Sequence, residues 1–232
     1  MKIFALADLH LGFAVNKPMD LFDPVWENHH IKIKDDWYDR VSEEDLIILA
    51  GDTSWAMYYD DAKVDLEWID ALPGTKIIIK GNHDYWWQSL TKMQSYESIF
   101  FLHNNYFKAG RLAICGTRGW ELPGSEEFGL DDEKIYHREK LRLERSLLLA
   151  KKDPEIDSII VVMHYPPLLS YMKETYFTEL LTDPMIKHVV YGHLHDKESW
   201  DRAVQGVYKG PQYHLVSADY KNFSLEELKL YD

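Results

Sequence analysis

Lys80-Gly81-Asn82-His83-Asp84 follows the apolar run Ile77-Ile78-Ile79 and precedes Tyr85-Trp86-Trp87. A short apolar run closed by a glycine reads as a buried strand ending in a turn. That places Asn82 and His83 where the strand leaves its sheet, the edge at which open α/β sheets bind ligands. An Asn side-chain carbonyl can ligate a divalent metal, and an adjacent imidazole titrates near neutral pH. Taken alone, the same residues suit an ordinary turn Asn beside a surface His.

The same pattern recurs on both sides of this stretch. Upstream, residues 2–8 read as a strand that runs into Asp8-Leu9-His10. Asp8 and His10 flank one residue, so in extended backbone their side chains share a side. Met1 to Ala7 is too short an apolar run for a secretory leader, and Asp8 interrupts it. Residues 13–31 lack a period and carry Pro18, Pro24, Trp26, His29 and His30, a long loop or short irregular helix, and loops of that length are often functional. Residues 31–42 read as a helix. Asp45-Leu46-Ile47-Ile48-Leu49-Ala50-Gly51-Asp52 repeats the run, the small residue and the Asp. A helix over 60–72, closed by Pro73-Gly74, makes a strand-helix-strand crossover and implies parallel strands.

Downstream, 86–96 reads as a helix. Residues 99–116 read as short strands with tight turns at Asn104-Asn105 and Ala109-Gly110. An acidic, Gly-rich loop is expected over 121–131. A long helix follows over 132–151, its charges reading as a solvated face. Ser158 to Met163 is another buried strand; it ends in His164, and Pro166-Pro167 stops it. A helix is expected over 174–182. Lys187 to Tyr191 leads into Gly192-His193-Leu194-His195, and 204–231 reads as antiparallel strands. No repeat or linker divides residues 1–232, which read as a single domain.

Composition bounds the function. The 232 residues are 46% hydrophobic, enough for a well-buried core. No apolar run approaches the roughly 20 residues that span a bilayer. Cys115 is the only cysteine, so no internal disulfide is possible and a cytoplasmic home is expected. The net charge of −13 disfavours a nucleic-acid polymer as partner. It does not disfavour a small phosphorylated substrate, because bound divalent cations can reverse the sign of a site.

Five strand ends therefore carry polar residues: Asp8 and His10, Asp52, Asn82 and His83, His164, and His193 with His195. Parallel strands bring their C-terminal ends to one edge, so these side chains can converge. Carboxylate, amide and imidazole without thiolate suit manganese, iron or zinc.

In order, Asp8-Leu9-His10, Gly51-Asp52, Gly81-Asn82-His83-Asp84, His164 and Gly192-His193-Leu194-His195 resemble the motifs of the calcineurin-like metallophosphoesterase superfamily. The resemblance implies an α/β fold, a metallophosphoesterase-type β-sandwich of two mixed sheets flanked by helices. It implies two divalent ions, one held by Asp8, His10, Asp52 and His195, the other by Asp52, Asn82, His164 and His193. It implies hydrolysis of phosphate esters by in-line attack of a metal-bridging hydroxide, with His83 as general acid. Asp84 would orient His83 or cap the next helix. Arg118, just past a strand, would bind the substrate phosphate, a surface salt bridge being the plainer alternative. The aromatics around Trp55 and Trp86 would stack on a base or pack into the core.

A small phosphodiester or nucleotide leads among substrates. A phosphomonoester or phosphoprotein comes next, then DNA. A non-catalytic scaffold on the same fold is the reading from another class.

Overall fold

The computed structural model describes residues 1–125 and 128–230. Four short apolar runs form the first sheet: β1 (Ile3–Leu6), β2 (Leu46–Leu49), β3 (Thr75–Ile78) and β4 (Ile99–Phe101). They lie parallel in that order, and β11 (Glu226–Glu227) pairs antiparallel on the free side of β1. The second sheet has the order β5-β6-β7-β8-β10-β9. Its members are β5 (Tyr106–Ala109), β6 (Leu112–Thr117), β7 (Ser158–Met163), β8 (Ile186–Tyr191), β9 (Gly206–Val207) and β10 (Gln212–Leu215). Here β6, β7, β8 and β10 run parallel, and the edge strands β5 and β9 run antiparallel.

The central strands β1, β2, β6 and β7 are almost wholly apolar because both faces of each sheet are covered. Ile3, Ala5, Ile48, Ile77, Ile114, Ile160, Val162 and Val190 point between the sheets and form one core. The residues between them point outward. Phe4, Leu6, Ile47, Leu49 and Ile78 pack beneath α1 (His29–Arg40) and α2 (Tyr59–Asp70), which bury Ile33, Trp37, Leu66 and Ile69. On the other side, Ala113, Cys115, Ile159 and Val161 meet α3 (Asp132–Lys151) and α4 (Tyr176–Leu180). The result is a helix-sheet-sheet-helix sandwich, the α/β architecture that the motifs implied. A short α5 (Lys197–Arg202), not anticipated, follows the last histidine.

At one end the two sheets are stitched together. Ala7 N–H donates to the Val216 carbonyl at 2.8 Å, and Ala218 N–H donates to the Ala7 carbonyl at 3.1 Å. This seam lies directly below Asp8.

Three expectations need correction. Residues 86–96 form no α-helix; only Leu90–Lys92 makes a single 3₁₀ turn. Trp86 and Trp87 are both buried, packed against Phe101 with centroids 6.4 and 5.2 Å away. The Asn104-Asn105 turn does not join neighbours in one sheet, because β4 and β5 belong to different sheets. The tail is not wholly antiparallel, since β10 runs parallel to β8. Its C-terminal end therefore reaches the same edge as the motif residues. Of the loop expected over 121–131 and the tail expected over 204–231, Glu126, Glu127 and Tyr231 lie outside the described residues.

Candidate metal centre

Each motif residue leaves its strand at the C-terminal edge, and the turns there are tight. Asp8, His10, Asp52 and His193 all have positive φ, at 59°, 44°, 50° and 74°. Left-handed backbone is uncommon outside glycine, is adopted more readily by Asp and His than by most residues, and clusters at functional sites. Two close approaches hold the turns together. A Cβ on Gly81 would collide with the Asp52 side chain and backbone, and one on Gly192 with Ala7 and Asp8. Only glycine lets these loops touch.

Asp84 plays neither of its expected roles. Its buried carboxylate accepts from the N–H groups of Thr53, Ser54 and Gly81 at 2.9, 3.2 and 2.7 Å. It also accepts from Trp86 Nε1 at 2.9 Å. It thus ties the Asp52 turn to the Asn82 turn. Burial, and then Asp52 nearby, push its pKa up to about 7.

The seven expected ligands converge. Oxygens and ring nitrogens of Asp8, His10 and His195 fall within 4.8 Å of one another, as do those of Asp8, Asp52 and His164. Asp52 Oδ2 faces both groups, 3.9 Å from His10 Nε2 and 3.5 Å from His164 Nε2. Asn82 Oδ1 lies 2.5 Å from His164 Nε2 and 3.1 Å from His193 Nδ1. The other ring nitrogen of His164 lies 2.9 Å from the Ala50 carbonyl. Such a bond fixes a tautomer and leaves Nε2 a lone pair for a cation.

Among the described residues, this cluster is short of positive charge. Asp8 Oδ1 and His10 Nδ1 are buried without a hydrogen-bond partner. Burial, with Asp52 adding to it, pushes the Asp8 carboxyl up to about 7. Burial also drives the His10 and His164 imidazoles well below their ordinary range. Burial acts to lower His195 too, but the Asp8 and Asp219 carboxylates raise it to about 9. Buried carboxylates beside the neutral imidazoles of His10 and His164, with acceptors left unpaired, are the donor set that divalent ions satisfy.

His83 stands apart from the ligands. Its N–H donates to Asp52 Oδ1 at 2.7 Å, which aims the residue, and its half-buried ring packs on Trp55 with centroids 4.5 Å apart. Burial lowers its pKa, against a raising pull from Asp52. Arg118 does not line the clefts that border His10, His193 and His195. Its guanidinium lies 3.5 Å from Glu139 and stacks 4.2 Å over Trp120, so it takes part in a buried ion pair and not a surface one. The aromatics divide: Trp86 is core, while Trp55 stacks 4.7 Å from the His10 ring and lines the cleft.

Several site residues were not anticipated. Asp219 lies 3.1 Å from His195 Nδ1, and Glu121 lies 3.7 Å from His193 Nε2. Trp26 and Phe22, from the irregular loop, wall the cleft. Asp219 carried a weaker form of the signal, since Leu215-Val216, after His214, is followed by the small residues Ser217-Ala218 and then the Asp.

The fold and this edge define a metal-dependent phosphoester hydrolase. The family model for calcineurin-like phosphoesterase matches residues 1–197, and the chain belongs to that family. The family binds a dinuclear divalent metal centre, which the Asp and His clusters here could hold. No curated protein matches the chain in a sequence comparison. Among solved structures, it is similar to a phosphopantetheinyl hydrolase from Mycobacterium tuberculosis, at 16% identity and a TM-score of 0.53, over 98% of this chain and 95% of that one. A protein of unknown function from Aquifex aeolicus is also similar, at 17% identity and a TM-score of 0.50, over 97% and 95% of the two chains. Both likenesses concern the fold. Among the described residues, no helix is long and apolar enough to cross a membrane.

Proposed function

We propose that this single-domain hydrolase acts on small phosphodiesters in the cytoplasm, with Asp8, His10, Asp52 and His195 holding one ion. Asp52, Asn82, His164 and His193 hold the other, and Asp52 is shared. The observation that carries the diester reading is the pair of cavities beside the cluster. One, of about 740 Å³, is walled by Phe22, Trp26, Trp55, His83, Trp200 and Tyr220. The other, of about 250 Å³, is walled by Trp120, Leu122, Leu169, Tyr171 and His193, with Arg202 at its border. His195 borders both. A diester carries two organic arms and a single negative charge. No Lys or Arg among the described residues lines the larger cavity, which suits a monoanion better than a dianionic monoester.

Two divalent ions here, manganese, iron or zinc, would offset phosphate charge and supply a nucleophile at neutral pH. The chain does the rest. Asn82 orients a phosphate oxygen, and the Trp55 wall excludes water from one arm. His83, bordering the larger cavity, protonates the departing oxygen.

The test is a substrate panel with added Mn²⁺. Bis-nitrophenyl phosphate, nitrophenyl phosphate, cyclic nucleotides, a phosphopeptide and a phosphopantetheinyl ester are compared. Diesters should show the higher kcat/KM. A preference for the monoester or the phosphopeptide would replace the diester reading with a phosphatase.

A further inference from the structure

A second polar pocket, of about 300 Å³, lies on the same edge of the sandwich. Lys80, Arg118, Arg138 and Arg142 line it, and the only carboxylate among them is Glu139. Glu139 is fully buried and accepts from Thr117 Oγ1 and Arg142 Nη1, both at 2.6 Å. Arg118 and Arg138 reach the same oxygen at 3.5 and 3.9 Å.

One carboxylate thus serves three guanidinium groups. Lys80 has no ion-pair or hydrogen-bond partner among the described residues. Arg118 Nε is likewise buried and unpaired. In a chain of net charge −13, four cations around one acid are a local surplus that folding alone does not require. Like charges held together in this way are relieved by a multiply charged anion, and planar guanidinium groups suit phosphate oxygens.

The pocket shares its backbone with the metal centre. Lys80 precedes Asn82 by two residues, and the Arg118 carbonyl accepts from His164 N–H at 3.0 Å.

We propose that this pocket is a phosphate-class anion site distinct from the metal centre, built by Lys80, Arg118, Arg138 and Arg142 on the buried carboxylate of Glu139. The site does not depend on the diester reading. Its anion is either a second phosphate of the substrate or free inorganic phosphate.

Calorimetric titration of the metal-loaded protein with pyrophosphate reads it directly. Wild type should show a class of site that the double variant Lys80→Gln, Arg142→Gln weakens about tenfold or more. Glu139→Gln removes the opposing charge and should tighten binding. A purely structural ion cluster would instead lose stability in that variant with no gain in affinity. If the double variant fails to fold, Lys80→Gln, which breaks no pair, carries the comparison. Pyrophosphate binding unchanged in Lys80→Gln and in Glu139→Gln overturns the proposal.

Kinetics then assign the source. A KM raised about tenfold for a nucleoside bisphosphate but not for a nitrophenyl ester puts the phosphate on the substrate. A KM unchanged for both, with pyrophosphate binding lost, makes the ligand free phosphate. Failure of all ester turnover would sink the diester reading while the titration still decides the pocket.

Discussion

The two sheets supply the candidate centre with different chemistry. The five-stranded sheet delivers Asp8, His10, Asp52, Asn82 and His83, including both carboxylates of the proposed ligand set. The six-stranded sheet delivers His164, His193 and His195, all imidazoles, with Asp219 behind the last. Neither sheet holds the whole of the proposed ligand set. Asp52 is where they meet, because its Oδ2 faces His10 from one sheet and His164 from the other. The centre is thus an interface property. It exists only while the seam from Ala7 to Val216 and Ala218 keeps the two edges in register.

The largest effect should come from breaking that meeting point. Asp52→Ala should lower both the metal content and the activity, the latter on the order of 10³-fold or more. Elemental analysis beside turnover checks this. Two bound ions and full activity in the variant would dissolve the shared-ligand reading.

His83 tests whether the first sheet supplies chemistry as well as ligands. His83→Ala should keep its metals and lose about 10²–10⁴-fold on poor leaving groups. The loss should shrink for nitrophenolate, which departs without a proton. An equal loss on both would assign His83 to structure.

Asp219 tests whether the second sheet orients its imidazoles. Asp219→Asn should cost about 10–100-fold in metal affinity, the usual effect of a residue that fixes a ligating His. Competition with a chelator measures it, and an unchanged affinity would make Asp219 a bystander.

The smallest effect concerns a histidine pair on the second sheet, remote from the ligands. His188 Nδ1 lies 2.9 Å from His214 Nε2, between β8 and β10. Burial, and then His214, pull His188 down to about 4. The unfolded chain protonates near 6.5, so between those values it binds the proton and the fold does not. This contribution to stability is whole above about pH 6.5 and is lost as pH falls toward 4. In urea unfolding, with metal removed by chelator, His188→Gln should flatten that slope. An identical slope in the variant would clear His188.

Much of the centre was legible because strand ends have a simple pattern. A strand run that ends in Asp, Asn or His marks the edge of a doubly covered sheet; Asp8, Asp52, Asn82 and His193 follow a small residue there, His164 follows its strand directly, and His10 and His195 lie two residues beyond a marked position. Asp219 carries a weaker form of the mark, but it was hidden by reading its strand as antiparallel, since strand direction is a matter of pairing and not of local sequence. The aromatic run after Asp84 suggested a helix. The fold instead buries Trp86 and Trp87 one by one, while the Asp84 carboxylate takes up backbone N–H groups of the neighbouring turns.

Sequence alone determined the residue types, their order and the apolar strands that present them, because burial on both faces requires unbroken apolar runs. Tertiary structure alone decided which of them meet. It set the left-handed turns at Asp8, His10, Asp52 and His193, and the contacts across Gly81 and Gly192. It also gathered Arg138 and Arg142, which a helical pattern assigns to solvent, with Lys80 and Arg118 around Glu139. The physical reason is the same in each case. Distances between side chains far apart in sequence depend on how two sheets pack, and no local preference encodes that.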